Sequence, residues 1–95
     1  MDNFPLHRAV FSNEVEIVKK HMAEMNKKDT QGNTPLHIAC MLGNKDIVQL
    51  LLEKGAKVRS RNNAGWNALD EAIAYGDIGL DKIVISAFRM GQPSG

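Results

Sequence analysis

One cysteine, Cys40, in 95 residues excludes an intramolecular disulfide framework and a multi-cysteine zinc site, and fits a reducing, cytoplasmic setting. A formal net charge of +1 provides no overall field that would hold nucleic acid or an anionic membrane, which makes nucleic acid an unexpected partner. The opening residues Met1-Asp2-Asn3-Phe4-Pro5 lack the basic and apolar stretches of a secretory signal, and no apolar run reaches the length needed to span a bilayer. No membrane insertion is expected. Neither a Walker loop nor a Gly-x-Gly-x-x-Gly run is present, so no nucleotide cofactor is implied. Against these absences stand an apolar fraction of 43% and a charged fraction of 24%, the composition of a soluble chain that folds. At this length a single core leaves a slim stability margin, so the chain must pack efficiently.

The strongest positive signal is internal repetition. Phe4-Pro5-Leu6-His7-Arg8-Ala9, Thr34-Pro35-Leu36-His37-Ile38-Ala39 and Asn67-Ala68-Leu69-Asp70-Glu71-Ala72 recur at spacings of 30 and 33 residues. Gly32, Leu36, Ala39 and Gly43 return as Gly65, Leu69, Ala72 and Gly76. Thr34 can cap a helix that begins at Pro35, where proline loses no needed hydrogen bond. Gly43 supplies a left-handed residue to end that helix, and Asn13 takes the same place one repeat earlier. Ile47, Val48, Leu50, Leu51 and Leu52 make the next helix apolar over much of its circumference, as when neighbours cover it on two sides. The pattern predicts helices over 5–12, 14–23, 35–42, 45–54, 68–75 and 78–89, with hairpin-like fingers centred on 26–33 and 59–66.

These residues resemble the ankyrin-repeat family. Asp29 through Ala39, then Gly43-Asn44, Ile47-Val48-Gln49-Leu50-Leu51-Leu52 and Gly55-Ala56, follow its consensus. The resemblance implies an all-α solenoid of about three stacked helix-turn-helix units in one domain. Repeat one covers residues 1–28 and is shortened, repeat two 29–61, repeat three 62–90, and 91–95 form a tail. It further implies a protein-interaction module, a scaffold or adaptor without catalytic activity, that grips a protein partner with its fingers and with the concave face of the first helices. Carried over by register, that surface comprises Phe11, Ser12, Thr30, Gln31, Asn33, Met41, Leu42, Asn63, Trp66 and Tyr75, with Ala64 and Ala74 beside them. Phe11, Met41, Leu42, Trp66 and Tyr75 are large and apolar where a solvated face prefers small or polar residues. The alternative is that Trp66 folds onto its own finger and Phe11 fills the shortened first repeat. Another reading makes the chain a regulatory ankyrin segment of a longer enzyme or channel.

A narrower resemblance rests on Pro5-Leu6-His7, the matched second repeat, Gly65-Trp66, Leu69, Glu71-Ala72 and Gly76-Asp77. These look like the ankyrin unit of the endosome-associated, ubiquitin-binding ankyrin proteins. The ubiquitin-interacting motifs of that family have no counterpart in these residues.

Other chemistry is thinly supported. His7 and His37 occupy equivalent places, and the resemblance implies that each ties its helix to a hairpin. His37 and Cys40 stand three apart on one helix, but two ligands do not make a metal site, and the thiol reads as core. Asp70 and Glu71 point about 100° apart on a helix and cannot share a substrate, which favours a local capping role for Asp70. Lys27, Lys28, Lys57, Arg59 and Arg61 should gather on one edge, where an anionic partner segment or plain solvation would account for them. In the last helix Leu80, Val84 and Phe88 form one stripe, while Ile78, Ile83 and Ile85 leave more apolar surface than a terminal repeat should expose. A monomer is expected, with either further repeats beyond this segment or self-association through 78–88.

Overall fold

The computed structural model describes residues 4–75 and 79–89. The turn expected at Gly76, the apolar Ile78 and the tail at 91–95 lie outside them. Six helices follow one another: α1 (Pro5–Phe11), α2 (Val15–Lys20), α3 (Pro35–Leu42), α4 (Lys45–Glu53), α5 (Ala68–Tyr75) and α6 (Leu80–Arg89). Each odd helix packs on the even helix that follows it, and α1, α3 and α5 lie side by side. Serial stacking of like units is thus the architecture, with helices the only regular elements among the described residues.

One core runs through the stack. Leu6, Ala9 and Val10 of the first unit meet Leu36, Ala39 and Cys40 of the second, and Ile47, Val48, Leu51, Leu80 and Val84 close it from the even helices. The alanines recur at the centre of each odd helix, and small side chains there let neighbouring helices approach closely.

Local chemistry sets the helix ends. Thr34 is extended, its hydroxyl accepts from the His37 amide at 3.4 Å, and His37 Nδ1 accepts from the Thr34 amide at 3.1 Å. Asn67 and Asp70 repeat this reciprocal cap in the third unit, at 2.9 and 3.0 Å. The capping role expected of Asp70 is therefore what it has. Phe4 holds the corresponding place in repeat one and offers no side-chain cap. Gly43 and Asn13 both adopt the left-handed conformation that turns one helix into the next, at φ 71° and 58°.

Two helices depart from expectation. The second was expected to run to residue 23, but α2 ends at Lys20 and a 3₁₀ turn over Met22–Glu24 follows. Repeat one has three fewer residues with which to reach the first finger, and a 3₁₀ turn advances about 2.0 Å per residue against 1.5 Å. The last helix was expected from residue 78 and starts at Leu80. Gly79 has φ 89°, which no right-handed helix can include.

Candidate functional site

The fingers are built by an Asx residue at the base of each. Asp29 accepts the amides of Gln31 and Asn33 on one carboxylate oxygen, both at 2.9 Å, and its own amide bonds the Asn33 carbonyl. Thirty-three residues on, Asn62 accepts from the amides of Ala64 and Trp66 at 3.0 Å and bonds the Trp66 carbonyl. The second finger lies on the first through the Asn63 amide to the Gln31 carbonyl and through Asn63 Nδ2 to the Thr30 carbonyl. Gly32 makes this contact possible, since a Cβ there would sit 2.5 Å from Asn63 Oδ1.

Histidines carry each helix to the next finger. His7 Nε2 lies 2.8 Å from the Asn33 carbonyl and His37 Nε2 lies 2.8 Å from the Trp66 carbonyl. A carbonyl only accepts, so both rings hold their proton on Nε2. His37 Nδ1 is then free to accept from Thr34. Burial holds the His37 pKa below its ordinary value, and the bond to the Trp66 carbonyl opposes that shift. This is the tie between helix and hairpin that the family resemblance implied.

Asn62 was missed in the sequence, although it stands 33 residues after Asp29. Its Nδ2 donates to both Asn33 Oδ1 and Glu71 Oε2 at 2.9 Å, so all four hydrogen-bonding capacities of the amide are used. Glu71 is buried against this amide. Burial raises its carboxyl pKa, and the Asn62 bond partly offsets the rise.

The odd helices bring two rows of residues together by register: Phe11, Met41 and Ala74 in one, and Ser12, Leu42 and Tyr75 in the other. Phe11 is 68% exposed, Leu42 46% and Tyr75 56%, with Trp66 40% exposed on the second finger. Phe11 therefore does not fill the shortened first repeat. Met41 is half-buried, and Thr30, Gln31, Asn63 and Ala64 are exposed along the fingers. Asn33 does not belong with them. It is buried, with its side chain committed to Asn62 and its carbonyl to His7, because the second finger covers the first at that position.

The basic edge is largely engaged within the chain. Lys28 Nζ donates to the Arg61 carbonyl at 2.8 Å, Arg61 to the Gly65 carbonyl at 2.7 Å, Arg59 lies over the Phe88 ring and Lys27 over Phe4. Cys40 is fully buried, and burial, aided by Glu71 nearby, pushes its thiol up to about 12. No three of His, Cys, Asp and Glu converge as metal ligands among the described residues. No described helix is long and apolar enough to cross a membrane.

Helix pairs stacked in series and joined by fingers and histidine ties define a repeat scaffold. A family model described as ankyrin repeats, in three copies, matches residues 6–88, and the chain belongs to the ankyrin-repeat family. Ankyrin repeat domain-containing protein 13C of Xenopus tropicalis is 45% identical over 78 residues, and that of Homo sapiens 44% over 79. Ankyrin repeat domain-containing protein 13B of Mus musculus is 34% identical over 86 residues. The matches take in 78%, 79% and 86% of this chain but only 15%, 14% and 14% of those relatives. The chain thus spans about a seventh of their length. Ankyrin repeats are in general protein-interaction modules without catalytic activity.

Proposed function

We propose that this chain acts as a scaffold or adaptor unit inside the cell, binding a protein partner across the ends of α1, α3 and α5 and the adjoining fingers. The observation that carries this reading is the exposure of Phe11, Leu42 and Tyr75 at corresponding ends of α1, α3 and α5, together with that of Trp66 on the second finger. Aromatic and large apolar groups in that setting are the anchors that dominate binding energy. Exposed finger groups such as Gln31 and Asn63 fix the register of what binds, while the rigid stack behind them keeps the ordering cost low. A second reading is favoured by the small share of its relatives that the chain spans. There, the same surface serves as the regulatory arm of a longer enzyme or channel polypeptide.

The test is to replace Leu42 by Asp and Trp66 by Ala, separately, and to measure partner binding alongside urea unfolding. Each change should weaken binding by about tenfold or more, as expected for central anchors. Stability should move by about 1 kcal/mol or less, as expected for exposed positions. Loss of the fold in both variants, or unchanged binding in both, defeats the reading.

A further inference from the structure

The two ends of the stack are finished differently. At the position that looks toward the preceding unit, Arg8 is exposed while Ile38 and Glu71 are buried. A polar residue therefore stands at this position of the first unit. At the position that looks toward the following unit, Val10 and Cys40 are fully buried, yet Ile73 is 62% exposed. On the even helices, Leu52 packs on the core while its counterpart Ile85 is 36% exposed. The finger tells the same story: Asn63 fills the space beside Gly32, and nothing lies within 4 Å of a Cβ built at Gly65. An apolar end of this kind needs a cover.

A further unit of the same design is a poor cover. His7 and His37 each donate to a carbonyl of the next finger, whereas Asp70 holds that place in the third unit. A carboxylate cannot donate to a carbonyl, and Asp70 is already engaged in capping α5. What α6 presents instead is a ridge of Asp81, Ile85 and Arg89, four residues apart, next to a shallow depression lined by Lys82, Ile85, Ser86 and Arg89. That ridge is complementary to itself. A second α6 running antiparallel, with the two-fold axis at Ile85, places Ile85 against Ile85 and each Asp81 against the partner's Arg89. The charges fall about 6 Å along the helix on either side of the axis.

We propose that the end face formed by α5 and α6 is an isologous docking surface for a second copy of this chain, centred on Ile85, flanked by Ile73 and held in register by Asp81 and Arg89.

Sedimentation equilibrium of the 95-residue chain over a range of concentrations tests the proposal. The apparent mass should rise from 10.5 kDa toward twice that value. Ile85→Lys should hold it at the monomer mass, with the helical circular dichroism unchanged. Asp81→Lys or Arg89→Glu alone sets like charges opposite each other twice, and each should weaken the dimer by about tenfold. The combined Asp81→Lys, Arg89→Glu variant should return to within about threefold of the original. A chain that stays at 10.5 kDa up to millimolar concentration overturns the proposal and leaves the face to a different polypeptide. A dimer indifferent to Ile85→Lys, or one that the double exchange fails to restore, overturns it as well.

Discussion

Replacing Asn62 by Asp changes one amide to an isosteric carboxylate and probes the joint between fingers. The finger itself should survive, because Asp29 supports the first finger with the same two amide bonds that Asn62 makes to Ala64 and Trp66. What is lost is the donor. Nδ2 lies 2.9 Å from both Asn33 Oδ1 and Glu71 Oε2, and the substitution turns both contacts into acceptor against acceptor. Two hydrogen bonds at about 1 kcal/mol each disappear. A buried carboxylate also loses its donor and gains a like-charged neighbour, a change that costs about 3–5 kcal/mol where charges cannot escape to water. Partial relief by proton uptake sets the expected loss at about 3–5 kcal/mol at pH 7.5, roughly half the stability of a typical small domain. The pH dependence has a definite sign. Glu71 already has a folded-state pKa above its ordinary 4.5, so its contribution to stability is full at low pH and declines as pH rises through the folded value. A second carboxylate raises that value further, and the penalty should shrink when the pH is lowered to 5. Urea unfolding of both proteins, followed by circular dichroism at the two pH values, measures the difference. A penalty below about 1 kcal/mol at pH 7.5, or one that grows at pH 5, refutes the assignment of Asn62 as the donor that keeps Glu71 buried.

Two further outcomes follow from the same contacts. Gly32→Ala should cost more than Gly65→Ala although both glycines are left-handed, at φ 78° and 83°. Each pays about 1–2 kcal/mol for the conformation, and only the first drives a methyl into Asn63; equal unfolding midpoints would contradict the close finger contact. Cys40, with its thiol pushed up to about 12, should react with a thiol reagent at pH 8 about a thousandfold more slowly in the native protein than in denaturant. Fast labelling of the folded chain would place it outside the core.

The repeat register made most of the scaffold legible. Thr34, Pro35 and Gly43 mark a helix start and stop by local chemistry alone, and α3 and α5 have the bounds that the spacing predicts. The ends of α2 and α6 were harder to read because neither follows from periodicity. One depends on the distance a shortened segment must cover, and the other on the left-handed Gly79. The exposure of Phe11, Leu42, Trp66 and Tyr75 was legible because the repeat register sets these positions at the ends of the odd helices and on a finger. Asn33 could not be distinguished from the exposed Thr30 and Gln31, since its burial is imposed by a finger 29 residues away in sequence. Asn62 was overlooked for a related reason: a polar residue that opens a repeat carries no composition signal, and its bond to Asn33 arises only once the units stack. The engagement of the basic residues was not legible either, because charge in a sequence gives no hint that a carbonyl or ring of the same chain will occupy it.

Photo-crosslinking in cells tests most directly whether the exposed flank is where a partner sits. A benzophenone amino acid introduced at Leu42 or Tyr75, both on that flank, should trap the same protein, while one at Lys20, exposed on α2, should trap none of it. Adducts formed equally from Lys20, or none from Leu42 and Tyr75, would contradict binding through this surface.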